Sequence, residues 1–255
     1  MRFSWSLLRA YEQCPLQQKL IRIDKLGPEK VDERRFIRGS TGHKFLELWA
    51  KKGFCNEITP EEAGNIFKGL ASKKHIVWLG EKDKEELAIK VISDASMIME
   101  AVRFHKLNLV NDLKVEKWIS KPILSGEHVL AGLMDMLAES GRWVIETKMS
   151  KDPKWFDKDQ LIFYGFLLRV ARGKYPARLS FFLPLIEKVE NRLVDVDFSE
   201  DEFLRMLNRV KRFILKWNTG KFPAMGEADT CRWCDVKSYC PSVTADYKNS
   251  LFQKV

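Results

Sequence analysis

Apolar residues recur along this chain with two different periods, and the switches between them outline its elements. From Ser4 to about Ile23 the spacing of Leu7, Leu8, Tyr11 and Leu20 is helical, and Pro15 breaks or restarts the helix directly after Cys14. Asp24 to Arg38 is charged and reads as a loop. Ser40 or Thr41 then caps a helix predicted to run to about Lys52 and to end at Gly53. Residues 59–107 read as wholly helical, opened by the capping box Thr59-Pro60-Glu61-Glu62, with a second helix from about Glu81. The period then falls to two. Leu113–Ser120 alternates as a strand, and two apolar, β-forming runs flank Glu139-Ser140-Gly141-Arg142, a hairpin signal. Gln160 opens an apolar helix ended by Gly173, and strands follow at Arg178–Leu183 and Arg192–Phe198. Ser199-Glu200-Asp201-Glu202 caps an amphipathic helix through about Trp217.

The hairpin concentrates the chemistry. A loop of two or four residues centred on Ser140-Gly141 gives one register: Glu139 faces Arg142, Ala138 faces Trp143 and Asp135 falls opposite Glu146. Opposed side chains have Cβ atoms roughly 4.5–5.5 Å apart, and strand alternation places Lys148 on the face of Glu146. Two carboxylates at that separation repel unless a hard cation lies between them, and oxygen ligands suit Mg²⁺ or Mn²⁺. A nearby lysine can position or deprotonate a water for attack on phosphorus. The competing reading makes Glu146 and Lys148 the solvent face of an edge strand. His43 and Glu47 lie one turn apart on the preceding helix, so His43 is either a surface histidine or an imidazole ligand. Glu116 sits on a strand face that approaches the same region.

Charge narrows the partner. The net charge is +9, with 12 Lys/Arg against 6 Asp/Glu in residues 1–52 and 9 against 4 in residues 140–178, so the basic excess flanks the candidate site. Nucleic acid is the favoured partner. In the loop from Lys151 to Asp159, Lys154 and Lys158 accompany Trp155 and Phe156, aromatics on which bases stack or which seal the core. Gln160 and Tyr164 share a helix face near the strand ends that carry Glu146 and Lys148. No apolar run approaches the ~18–20 residues of a membrane span and the first residues lack the apolar core of a signal peptide, so a cytoplasmic location is expected. Five cysteines in such a chain point to metal ligation rather than disulfides. Cys231, Cys234 and Cys240 form C-x2-C-x5-C, and Cys14 completes a set of four if the termini meet. That set suits zinc or an iron-sulfur cluster, and spacing does not separate them. Cys55 has no ligand partner near it in sequence and is expected to be structural.

Six short motifs occur in one order: S-x-S-x-L-x-x-Y-x-x-C-P at Ser4 to Pro15, G-x-x-x-H at Gly39 to His43, G-x-x-D at Gly132 to Asp135, E-T-K at Glu146 to Lys148, Q-x-x-x-Y at Gln160 to Tyr164, and the terminal cysteine triplet. Together they span nearly the whole chain, which resembles the PD-(D/E)XK nuclease superfamily. The likeness is to its RecB-like iron-sulfur branch, with the CRISPR-associated exonucleases and the AddB nuclease domain. Met134 stands where the name-giving proline would precede Asp135. The resemblance implies an α/β, restriction-endonuclease-like mixed central sheet flanked by helices, in a single nuclease domain over residues 1–255. A helical insert at 53–110 and a cysteine segment at 222–243 would belong to it. It implies Mn²⁺ or Mg²⁺ on His43, Asp135, Glu146 and the Thr147 carbonyl, with Lys148 activating or orienting water and Gln160 and Tyr164 organising the substrate side. It also implies a 4Fe-4S cluster on Cys14, Cys231, Cys234 and Cys240, joining the N- and C-termini, with zinc the lesser candidate. The expected activity is a metal-dependent deoxyribonuclease, an exonuclease on single-stranded DNA ends in DNA processing, repair, recombination or CRISPR adaptation. The alternative is a DNA-binding subunit that acts within an integrase or helicase complex and cleaves little by itself; a structure-specific endonuclease is a third reading.

Overall fold

The computed structural model describes residues 1–27, 33–74, 76–138, 140, 142–152, 156–225, 231 and 234–241. The expectations placed on Glu139, Gly141, Lys154 and Trp155 lie outside them. The chain divides into two compact units, one of residues 1–2 and 32–206, the other of residues 3–31 and 207–255. No helix among the described residues is long and apolar enough to cross a membrane.

The larger unit is built on a mixed sheet. Its strands are β1 (Arg2–Phe3), β2 (Leu113–Ile123), β3 (His128–Ala138), β4 (Trp143–Thr147), β5 (Arg178–Phe182) and β6 (Leu193–Asp195), in the order β1-β3-β4-β5-β6, with β2 also paired to β3. β2, β3 and β4 run antiparallel in turn, β4 and β5 are parallel, and β6 is antiparallel to β5. The helix α6 (Lys158–Arg172) carries the chain from β4 to its parallel neighbour β5, the crossover that a parallel pair requires. Asp157 caps α6 by accepting from Asp159 N, so the helix opens two residues before Gln160, and Gly173 at φ 76 ends it.

α3 (Arg34–Lys51), α4 (Glu62–Ala71) and α5 (Glu81–Phe104) share a core cluster with the sheet. Phe45, Leu46 and Trp49 of α3 and Ala95, Ile98 and Val102 of α5 bury themselves with Met136 of β3, Ile145 of β4 and Phe182 of β5. A two-pronged ion pair, Arg38 Nε to Asp94 Oδ2 at 2.6 Å and Arg38 Nη2 to Asp94 Oδ1 at 2.7 Å, fixes α3 against α5. α3 begins well before Ser40 and Thr41, which lie inside it; Thr41 Oγ1 donates to Ile37 O instead of capping. The segment 59–107 is not wholly helical, since α4 stops at Ala71 and α5 starts at Glu81; Thr59, Pro60 and Glu61 of the box lead into α4, which begins at its last residue, Glu62. By contrast the Ser199 box forms: Ser199 N donates to Glu202 Oε2 and Glu202 N to Ser199 Oγ, opening α7 (Glu200–Asn218).

Two glycines let helices approach the sheet closely. A Cβ on Gly132 of β3 would meet Tyr164 Cε1 and Leu167 Cδ2 of α6, each at 3.0 Å. On Gly42 of α3 it would meet Met149 Sδ at 2.8 Å, just past the end of β4. These contacts set where His43 and Tyr164 stand relative to the strand ends.

The smaller unit holds α1 (Trp5–Gln13) and α2 (Pro15–Arg22), separated at Cys14, whose extended backbone (φ −158, ψ 102) breaks the helix where Pro15 starts the next. Ser4 caps α1 by accepting from Leu7 N. Phe3, Tyr11, Phe213, Trp217 and Phe222 pack as an edge-to-face aromatic cluster, and Glu12 binds Arg209 through both oxygens. Cys14, Cys231, Cys234 and Cys240 all belong to this unit.

Gly132→Ala is expected to lower stability by about 1–3 kcal/mol, because α6 must move away from β3 or Tyr164 must leave its rotamer. Urea denaturation checks this, and an unchanged midpoint would show that the close approach relaxes without cost.

Candidate metal centre

The sheet register writes three carboxylates into one row. Val115 pairs with Met136 and Lys117 with Met134, so Glu116 of β2 stands opposite Asp135 of β3. Beyond the Met136–Ile145 pair, Asp135 stands opposite Glu146 of β4, the register expected from the hairpin. α3 adds His43, whose Nδ1 is 3.8 Å from Asp135 Oδ1. Among the described residues, ligand atoms of His43, Glu116 and Asp135 all lie within 4.8 Å of one another.

Glu146 is held from the other side. Its Oε1 accepts from Lys148 Nζ at 2.8 Å and from Gln160 Nε2 at 2.7 Å, while Lys148 Nζ also donates to Gln160 Oε1 at 2.7 Å. Gln160 Nε2 reaches Tyr164 Oη at 3.3 Å. Thr147 N donates to Asp135 Oδ2 at 2.7 Å, which fixes that carboxylate against the end of β4. Glu146 Oε2 is buried with no hydrogen-bond partner, as is Thr147 Oγ1. An orphaned buried carboxylate oxygen is costly, and the opposed Asp135 repels it further.

The model of the PD-(D/E)XK nuclease superfamily matches residues 2–241. The chain belongs to this superfamily. No curated protein matches it in sequence. Among solved structures, the crystal structure of SSO0001 is similar at a TM-score of 0.31 and 19% identity, over 64% of this chain and 78% of that one, a likeness too slight to argue from.

Nucleases of the superfamily use a divalent metal, and the residues present fit one. The donor set is carboxylate oxygen and imidazole nitrogen, suited to Mg²⁺ or Mn²⁺, and Glu146 Oε2 lacks the positive partner its burial demands. Without a cation the site retains protons. Burial pushes Asp135 up from 3.8 to about 7, against the lowering by the Thr147 N–H, and burial followed by the charge of Asp135 pushes Glu146 up from 4.5 to about 8. Burial also raises Glu116 and Tyr164 and lowers His43, favouring the neutral imidazole that ligates.

The structure brings together His43, Asp135, Glu146, Thr147, Lys148, Gln160 and Tyr164, all within the larger unit. Gln160, expected on the substrate side, has its hydrogen-bond partners in Glu146, Lys148 and Tyr164. Glu47, one turn from His43, turns to Lys44 and Lys51 at 2.6 and 2.5 Å. The residue that sequence reading left without a role is Glu116. Its backbone is left-handed (φ 53), a conformation costing an ordinary residue roughly 1–2 kcal/mol and held here by paired neighbours on both sides. A signal for it existed: Ser125-Gly126 forms the turn between β2 and β3, and centring a four-residue loop there sets Glu116 against Asp135.

Because Asp135 and Glu146 bind protons more tightly folded than unfolded, their contribution to stability is present near pH 4 and is lost as pH rises through about 7 and 8. In EDTA, Asp135→Asn is therefore expected to melt several degrees above the parent at pH 8, the equivalent of roughly 2 kcal/mol, and level with it near pH 4. Added Mn²⁺ should stabilise the parent and leave the variant unmoved. Parallel melting curves at both pH values would show that the carboxylates are not strained.

Proposed function

We propose that this chain is an exonuclease that hydrolyses phosphodiester bonds from single-stranded DNA ends, using Mn²⁺ or Mg²⁺ held by His43, Asp135, Glu146 and the Thr147 carbonyl. The observation that carries the reading is the orphaned oxygen of Glu146 opposite Asp135, with Lys148 hydrogen-bonded beside it. When bound, a divalent cation neutralises charge developing on the phosphate and lowers the pKa of water. Lys148 Nζ stands at the edge of this row, where it orients an incoming water and steadies the negative charge that gathers on the phosphate. Gln160 keeps Lys148 and Glu146 in register by donating to one and accepting from the other, and Tyr164 supports Gln160 from the next turn of α6.

In the same proposal Cys14, Cys231, Cys234 and Cys240 hold a 4Fe-4S cluster. Burial raises the Cys234 thiol, and the nearby Cys14, Cys240 and Cys231 raise it further, so the four are neighbours electrostatically. Protein purified without oxygen is expected to be brown, with about four irons per chain, and Cys14→Ser to lose the colour. Colourless protein with one zinc per chain would replace the cluster by zinc.

The activity is tested on end-labelled linear and circular single-stranded DNA with Mn²⁺, Mg²⁺ or EDTA. The linear substrate alone should shorten, only with metal. Asp135→Ala and Lys148→Ala should cut the rate at least a hundredfold while the fold, read by circular dichroism, is kept. Cleavage of the circle would make the enzyme an endonuclease. Binding without cleavage would make the chain a DNA-binding subunit of a partner complex built around an integrase or helicase.

A further inference from the structure

Beside the carboxylate row lies a cavity of about 660 Å³ whose floor is His43, Glu116 and Asp135. One wall is α3, with Lys44 and Leu48; the other is α4, with Ile66, Gly69 and Leu70, and Lys73 in the turn that follows it. The walls combine aliphatic surface with lysine. Glu47 also lines the cavity and accepts from both Lys44 and Lys51, which leaves Lys73 as the lining lysine outside that ion-pair set. A cavity of this volume has the size of a small-ligand site, enough for a nucleotide.

We propose that the cavity between α3 and α4 holds the nucleotide adjoining the scissile phosphate of a single DNA strand, its base against Leu48, Ile66 and Leu70 and its outer phosphate on Lys73. This rests on the nuclease reading above and adds to it the path by which the strand arrives. The base has two apolar faces that gain by leaving water against aliphatic walls, and the phosphate gains from the lysine by displacing counterions. Because the cavity is continuous with the floor residues, a strand seated in it delivers its next phosphate to the carboxylate row. A base seated there is unpaired, so strand preference follows from the helical segment rather than from the sheet.

Gly69 supplies the test. It lines the cavity, and a Cβ added there meets nothing within 4 Å, so Gly69→Trp can direct an indole into the space while it exchanges a helix-weakening residue for a better helix former. Binding of a short fluorescein-labelled single strand is read by anisotropy in Ca²⁺ or EDTA, beside a hairpin-closed duplex, with Mn²⁺ binding read by electron paramagnetic resonance and melting temperature as the folding control. The expected result is at least tenfold weaker single-strand binding by Gly69→Trp, with Mn²⁺ binding and melting temperature retained. Lys73→Gln should lower the slope of log affinity against log salt by about 0.7. Equal single-strand binding by parent and Gly69→Trp overturns the proposal, as does parent binding of the closed duplex that Gly69→Trp weakens equally. A parent that binds the strand, loses it on Gly69→Trp and never cleaves in Mn²⁺ upholds the cavity and overturns the nuclease reading alone.

Discussion

The repulsion among Glu116, Asp135 and Glu146 is the constraint around which the larger unit is arranged. Three adjacent antiparallel strands deliver the three carboxylates to one row because side chains opposed in register must share a face. Burial removes the water that would screen them, and Asp135 and Glu146 respond by holding protons into the neutral range. Lys148 and Gln160 satisfy only one oxygen of Glu146, leaving the other directed to a missing positive charge. The arrangement is costly by itself and makes sense as half of an ion-binding site, for which the sheet is the rigid frame.

The surrounding helices are placed to serve that row. Gly42 lets α3 settle against Met149 so that His43 reaches Asp135, and Gly132 lets α6 settle on β3 so that Gln160 and Tyr164 reach Glu146. Close approach thus explains Gly132 of the G-x-x-D stretch and Gly42, which lies inside the G-x-x-x-H stretch, whereas a Cβ on Gly39 would meet Met149 Cβ at an ordinary 3.8 Å. α4 lines a cavity with α3 over the same floor.

Much of this was legible in the sequence, for reasons that differ by element. The β3–β4 register followed from a short Ser-Gly loop between apolar runs, because local turn geometry fixes cross-strand pairing. The break at Cys14 followed from proline chemistry alone. The start of α3 was hidden because Gly39-Ser40-Thr41-Gly42 has the composition of a helix boundary; packing of Ile37 and Phe45 into the core and the Arg38–Asp94 pair carry the helix through it. The break between α4 and α5 was hidden because the intervening residues keep apolar character, with Trp78 packing edge-to-face against Phe67. Glu116 was undervalued because its position depends on a second register, across the β2–β3 turn. The cysteine set was legible as a set, and its occupant was not, since spacing along the chain does not fix how far apart four sulfurs stand.

The most direct test of the central claim is an anomalous difference map from crystals of the protein grown with Mn²⁺. The account requires manganese within bonding distance of carboxylate oxygens of Asp135 and Glu146 and of a ring nitrogen of His43, with Glu146 Oε2 no longer without a partner. Manganese ordered elsewhere, with the row left as three carboxyl groups and no ion, would contradict it.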